Sequence, residues 1–278
     1  MSQLPVSLRL FGCTLLLSLL FSPSISGQHA SWHLPTADGN EVKRRDASDN
    51  RWLGLGIGFS NWIDNDGFDP SGVDYELNMA RSIYVDIRPL GRSVSISGNQ
   101  LTLDYALGID WYNFFFDNNQ VTLMETEEGL RTIERTEDFS KSKLTVTYLY
   151  LPLLLHWETK PEDAEHSFRA EAGGYAGFRI GAHTKTKNES GDKTKRYRDF
   201  EINDLRYGLE AAIGYGPVNL FAKYDLETLF EEDAFFGDRP VAADPVEIQA
   251  VTFGIRISGF SDDDFDKDDM LVQNTSVF

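Results

Sequence analysis

The sequence is short of cysteine. It has one in 278 residues, Cys13, and that one sits inside an apolar N-terminal run. A chain exported without that run has no disulfide to form, so packing, hydrogen bonding or its surroundings must hold it together. Basic residues are also scarce. Lys and Arg number 26 against 44 Asp and Glu, a formal charge of −18. This balance excludes a nucleic-acid binder, which needs a positive footprint to displace counterions from phosphate. The apolar run Leu10 to Phe21 is too short and wrongly flanked for a transmembrane helix. No segment of useful length carries a helical period. What the chain does have is aromatic residues (13%) and 23 glycines, a mixture that suits β-structure with close backbone approaches.

The N-terminus reads as a targeting segment. Arg9 supplies a positive start, Leu10 to Phe21 an apolar centre, and Ser24 to Gly27 small residues for cleavage, so residues 1–27 are expected to be a signal peptide. Residues 28–50 are polar and aperiodic and are expected to form a flexible lead. Ser261 to Asp269 holds six Asp against one Lys, and residues 261–278 are expected to form an acidic tail.

Residues 51–260 alternate by twos. Leu101, Leu103, Tyr105, Leu107, Ile109 and Trp111 face one way, and Thr102, Asp104, Ala106, Gly108 and Asp110 the other. Phe168 to His183 divides into an apolar set (Phe168, Ala170, Ala172, Ala176, Phe178, Ile180, Ala182) and a set of charge, glycine and tyrosine (Arg169, Glu171, Tyr175, Arg179, His183). Similar alternation marks 51–62, 80–90, 144–157, 205–215, 218–230 and 248–257, giving eight strands. In 144–157 both faces are apolar, and Pro152 cannot donate to a ladder, so a bulge or local break is expected there. The connections alternate long (63–79, 117–143, 184–204, 231–247) and short (91–100, 158–167, 216–217). That is the layout of an up-and-down outer-membrane barrel, with short turns in the periplasm and long loops outside.

The apolar sets are long enough for a bilayer, since a spanning strand needs about 9–11 residues. They also end in aromatics, with Trp157 beside a short turn and Trp111 beside a long loop, as an interfacial girdle requires. The expected fold is therefore an all-β, eight-stranded antiparallel up-and-down transmembrane barrel with apolar side chains facing lipid. The enclosed charges must then pair. The expected lumen network is Arg169, Glu171 and Arg179 with Asp104, Asp110, Glu210, Lys223 and Asp225. Two alternatives stay open: a soluble exported barrel with its apolar faces inward around an apolar ligand, and an outer-membrane hydrolase.

The stretches "LTLDYALGIDWYNFFFDNN" (101–119), "YLYLPLLLHWETK" (148–160), "FRAEAGGYAGFRIGAHTKTK" (168–187) and "LRYGLEAAIGYGPVNLFAKYDLETLF" (205–230) together resemble the small outer-membrane β-barrel domain of Gram-negative bacteria, of the OmpA/OmpX-like and PorT-like kind. The resemblance spans roughly Trp52 to Ile257. It implies the barrel and its location, a structural or surface-interaction role or a narrow channel, and no chemistry.

No catalytic, cofactor or metal residue is expected. No Ser stands with a His and an acid in a recognisable elbow. In Asp64–Asp74 an EF-hand would need an acid where Phe68 stands. The strongest site is Thr184 to Phe200, where Lys185, Lys187, Lys193, Lys195, Arg196 and Arg198 outnumber three acids. As an outer loop this segment would meet the lipid bilayer surface and the phosphates of lipopolysaccharide. Its bland reading is a solvated hairpin extension.

Overall fold

The computed structural model describes residues 51–261, apart from positions 53, 65–66, 69–72, 98–99, 128, 136–138, 189, 233, 238–244 and 259. The expected signal peptide, the lead segment and the acidic tail beyond Ser261 lie outside the described residues. Eight strands form a ring: β1 (Gly54–Asp64), β2 (Ile83–Ser97), β3 (Leu101–Phe115), β4 (Phe139–Glu158), β5 (Phe168–Asn188), β6 (Leu205–Tyr215), β7 (Val218–Asp225) and β8 (Gln249–Ile257). Each pairs antiparallel with its neighbour in sequence, and β8 returns to β1, so the wall has no free edge. Among the described residues no helix is long and apolar enough to cross a bilayer.

The alternation decides which face looks out. Leu153 is 53% exposed and Ile57 60%, whereas Asp86 and Asp110 are fully buried. The apolar faces look outward, and the charges are enclosed. A soluble barrel would show the reverse, so that alternative is overturned. Trp157 is exposed with its ring against Phe168, at the level of Leu101. Trp111 lies opposite Thr147, near the other margin. At about 3.3 Å per residue and a tilt near 40°, the strand from Leu101 to Trp111 rises roughly 25 Å, the height of an outer-membrane apolar band.

Pro152 sits in an unbroken β4, pairing with Tyr175 of β5. On the β3 side the ladder lapses between the Tyr105–Leu153 and Gly108–Tyr150 pairs without changing register. This is the break expected of a residue lacking an amide hydrogen. Register shifts lie elsewhere: between Ile87 and Leu90 and between Ser95 and Ser97 in β2, between Phe139 and Lys141 in β4, and in β5 opposite Thr147 and Tyr148. Thr147 pairs with Gly181 and Tyr148 with Arg179, which leaves Ile180 as the extra residue. The bulge reverses the facing of everything after it. Ala182 and Thr184 turn inward and are buried, and His183, Lys185 and Lys187 turn outward. The strict alternation read through His183 in the sequence therefore fails past Ile180.

The long connections are more ordered than loops. β4 starts at Phe139 and β5 runs to Asn188, both well past the membrane span. Val121–Thr126 and Gly129–Glu134 form a hairpin inside the 117–143 connection. Lys193–Tyr197 pairs back onto β5. Trp62, Phe114, Phe116, Val121, Leu130, Leu144, Phe200, Phe230, Phe235 and Ile248 belong to one buried cluster. Trp62 packs against Phe114, Phe116, Phe230 and Phe235 with ring centroids 5.3–6.5 Å apart. The outer end of the barrel is thus closed by a dry aromatic cap, and the lower lumen is polar.

Gly208 pairs with the lumen residue Tyr175. A Cβ on Gly208 would collide with the Tyr224 carbonyl oxygen and the Tyr175 hydroxyl, whereas one on Gly181 meets nothing within 4 Å. Gly208→Ala should therefore lose about 1–3 kcal/mol of stability through overpacking, and Gly181→Ala should stay within about 0.5 kcal/mol of the parent. Urea titration of each protein folded in detergent micelles, read by heat-modifiable gel migration, checks both.

Candidate functional site

Three groups of polar side chains stand out, each placed by the facing rules above. The first fills the mid-lumen. Arg88 of β2 donates from Nη2 to both carboxylate oxygens of Glu210 on β6, at 2.6 and 2.7 Å. Arg256 of β8 donates to the same Glu210 at 2.6 Å. The Tyr150 hydroxyl donates to Asp86 Oδ2 and accepts from Arg88 Nε, both at 2.7 Å. Above this cross-brace, Lys223 donates to Asp110 at 3.1 Å and to the Tyr84 hydroxyl at 2.8 Å. Arg206 donates to Asp110 at 2.6 Å and lies over the rings of Tyr112, Tyr148 and Tyr175. The Tyr175 hydroxyl donates to Asp225. Buried charges held by partners, hydrogen bonds and aromatic faces close the bore without leaving any of these cations in an apolar void.

The second group lies at the short-turn end. His156 and Glu158 of β4 meet Asp104 of β3 and Arg169 and Glu171 of β5. His156 Nδ1 stands 3.0 Å from Glu171 Oε1 and 3.6 Å from Asp104 Oδ2. Arg169 Nε donates to Glu158 at 3.0 Å.

The third group is outside the barrel, past the lipid-facing belt. Register aligns Lys143 of β4, Lys185 of β5 and Lys195 of the added strand in one row, and Lys141, Lys187 and Lys193 in the next. Directly paired residues share a face, so six lysines point sideways from the wall above the bilayer. Arg81 joins them, since Arg81 and Lys143 both lie over the Phe115 ring, at 5.0 and 5.2 Å. Lys143 Nζ donates to Asn113 Oδ1 at 2.5 Å. Burial, reinforced by Lys185, Lys141 and Lys195, holds Lys143 down to about 8. His183, its ring tilted against that of Tyr197 with centroids 5.2 Å apart, is lowered by burial and by Lys195, Lys143 and Lys185.

The residues singled out in the sequence distribute unevenly over these groups. Asp110, Glu210, Lys223 and Asp225 meet in the mid-lumen; Arg169, Glu171 and Asp104 form the separate basal group. Arg179 needs correcting, because it joins neither. Next to the bulge it reaches the outer opening and pairs with Asp199 and Asp204, both largely exposed. Of the basic segment, Lys185, Lys187, Lys193 and Lys195 stand together. Arg196 lies on the alternate position of its strand, and Arg198 pairs with Glu125 at 2.9 Å. Sequence reading missed Asp86, Arg88, Arg206 and Arg256, although each sits on a polar face of a strand it had recognised. It also missed Lys141 and Lys143, which come from a different connection and reach the lysine rows only through pairing.

Glu210 counters two guanidiniums, so Glu210→Gln should cost about 3–5 kcal/mol in the micelle-folded protein by leaving uncompensated buried charge. Arg179→Gln, at partly exposed pairs, should cost no more than about 1 kcal/mol. Equilibrium urea unfolding of both variants measures the contrast.

No curated protein matches the chain by sequence. Among solved structures the chain is similar to Ail, the attachment invasion locus protein of Yersinia pestis, crystallised with the heparin analogue sucrose octasulfate. The identity is 11%, the match covers 76% of this chain and 98% of that one, and the TM-score is 0.33. The family model of the outer membrane protein beta-barrel domain matches residues 73–228, more than half of the sequence. The chain belongs to the outer membrane protein beta-barrel domain family.

Proposed function

We propose that this outer-membrane barrel is a non-enzymatic surface protein that binds the phosphorylated headgroups of lipopolysaccharide in the outer leaflet. Export by a cleaved signal at residues 1–27, with a flexible lead (28–50) and an acidic tail (261–278), is part of the same reading. The observation that carries it is the pair of cross-strand lysine rows, Lys143–Lys185–Lys195 and Lys141–Lys187–Lys193. Like charges placed directly opposite each other destabilise a sheet. Edge protection accounts for Lys193 and Lys195, on a strand paired along one side. It does not account for Lys143 and Lys185, which lie in strands paired on both sides at that level. An anion that bridges the rows removes the repulsion and turns it into charge-assisted hydrogen bonds. The rows face sideways, above the apolar belt, at the depth of the outer headgroups.

A channel role is the weaker reading. The mid-lumen ion pairs and the aromatic cap occupy the bore, and an eight-stranded barrel is only wide enough to be filled by side chains.

The Lys143→Gln, Lys185→Gln and Lys195→Gln triple variant should bind lipopolysaccharide vesicles about 100-fold more weakly, at about 1 kcal/mol for each basic residue near an anionic surface. Dephosphorylated lipopolysaccharide should bind both proteins equally weakly. Flotation of nanodisc-embedded protein against each lipid tests this, and equal binding of the triple variant to the phosphorylated lipid refutes the reading.

The lowered Lys143 adds a pH dependence. With its folded value near 8, Lys143 is charged below that pH and loses its charge as pH rises through it. A phosphate partner would hold the proton on. Binding should therefore weaken between about pH 7 and 9, with proton uptake on binding near pH 8. In Lys143→Gln that part of the pH dependence should vanish. Stability carries the opposite sign: a depressed lysine disfavours the folded state below about 8, and that penalty fades as pH rises toward the usual lysine value. Calorimetric titration in buffers of different ionisation enthalpy reads the uptake.

A further inference from the structure

The row of side chains between the lysines and the lipid belt differs in kind from both. Thr145 of β4 pairs with His183 of β5, and His183 with Tyr197 of the added strand. Below this row lie Trp111, Thr147 and Gly181, near the outer margin of the belt, and above it Lys143, Lys185 and Lys195. Two residues along a tilted strand rise about 5 Å, so the row sits one step beneath the phosphates that the lysines would hold. Thr145 is buried and its hydroxyl donates to Asn113 Oδ1 at 3.2 Å, so it belongs to the floor. Tyr197, by contrast, is 70% exposed, with its ring tilted 35° against His183. Burial and three lysines hold the His183 imidazole below its usual value, so at neutral pH it is uncharged and offers one hydrogen-bond donor and one acceptor. The wall is indented beneath this pair. β6 pairs with β5 as far as Phe178, and the added strand pairs from His183 onward. Among the described residues, Gly181 between them is paired only on the β4 side, with Thr147. A Cβ on Gly181 would meet nothing within 4 Å. An interfacial belt accounts for an exposed tyrosine. It does not call for an uncharged imidazole beside the ring or an open notch under it.

We propose that Tyr197, His183 and the notch at Gly181 form a subsite for a sugar ring, so that this surface selects a phosphorylated glycolipid over an anionic glycerophospholipid. The inference rests on the phosphate reading of the lysine rows and names the part of the headgroup that the lysines leave unbound. A pyranose has an apolar face of C–H groups and a rim of hydroxyls that both donate and accept. Tyr197 offers an apolar ring, and His183 offers a donor and an acceptor beside it. An aromatic wall with a few placed polar groups is the usual make-up of a small-ligand site. Gly181 leaves room below the ring for the substituents of the sugar. The vertical order fits as well. In a lipid whose sugar carries both a phosphate and acyl chains, the sugar lies between the two. Along the outer wall the aromatic pair lies between the lysine rows and exposed apolar residues such as Leu149 and Phe178. A glycerophospholipid has no flat ring to place at that depth.

The test measures flotation of nanodisc-embedded protein with lipopolysaccharide vesicles and with phosphatidylglycerol vesicles of equal surface charge. Tyr197→Ser and Gly181→Leu, each confirmed as folded by gel shift, should bind lipopolysaccharide about 3–10-fold more weakly and phosphatidylglycerol as the parent does. Glucosamine 1-phosphate should release lipopolysaccharide from the parent at lower concentration than inorganic phosphate, and that advantage should disappear in Tyr197→Ser. The Lys143→Gln, Lys185→Gln and Lys195→Gln triple variant should lose both lipids alike. If the triple variant binds lipopolysaccharide as the parent does, the phosphate reading fails and the sugar subsite falls with it. A different result overturns the subsite alone: the triple variant is weakened, but Tyr197→Ser and Gly181→Leu either match the parent on lipopolysaccharide or lose both lipids equally, as loss of a belt anchor would. If Gly181→Leu does not fold, Tyr197→Ser decides.

Discussion

Hydrocarbon offers no partner to a backbone amide, and the rest of this structure follows from that constraint. A strand in lipid must find all its hydrogen bonds on neighbouring strands, so the sheet has to close on itself. Closure is achieved by eight strands pairing in sequence order, with β8 returning to β1. Once the ring is closed, its outer face must be apolar and its enclosed face can hold the charges that lipid rejects. Leu153 and Ile57 outside, with Asp86 and Asp110 inside, are two sides of one requirement.

A bore this narrow is filled by side chains, and the filling here comes in layers. Glycines let tyrosines lie across the lumen, as Gly208 does for Tyr175. The tyrosines supply ring faces for Arg206 and Lys223 and hydroxyls for Asp86 and Asp225. Guanidinium–carboxylate pairs then tie opposite walls, Arg88 of β2 to Glu210 of β6 being the clearest. Above them the solution changes from paired charge to packed aromatic rings around Trp62. Two further polar groups lie at the ends of the barrel, the lysine rows outside and the histidine–carboxylate group at the base.

Period-two patterning made the barrel legible, because facing in a strand depends only on position parity. That is why Asp110, Glu210, Lys223 and Asp225 could be grouped before any contact was known. Parity fails where one residue is added. The bulge at Ile180 reverses the facing of His183, Lys185 and Lys187, and nothing in "GFRIGAH" announces it. Partnership between strands is invisible for another reason. Lys141 and Lys143 sit far along the chain from Lys193 and Lys195, and only the β4–β5 register brings them into rows. The segment expected as an outer loop or a solvated hairpin extension is a hairpin: Lys193–Tyr197 pairs with an extension of β5 beyond the membrane.

Amino-acid order alone determined the architecture: eight alternating segments, the alternation of long and short connections, and the outward facing of apolar side chains. These follow from local periodicity and from the cost of exposing backbone and charge to lipid. Tertiary structure alone decided which charges meet. It drew Arg179 away to Asp199 and Asp204, assembled Arg88, Glu210 and Arg256, and put His156 between Asp104 and Glu171. The physical reason is that register and bulges are set by the summed pairing of whole strands, which no short stretch of sequence encodes.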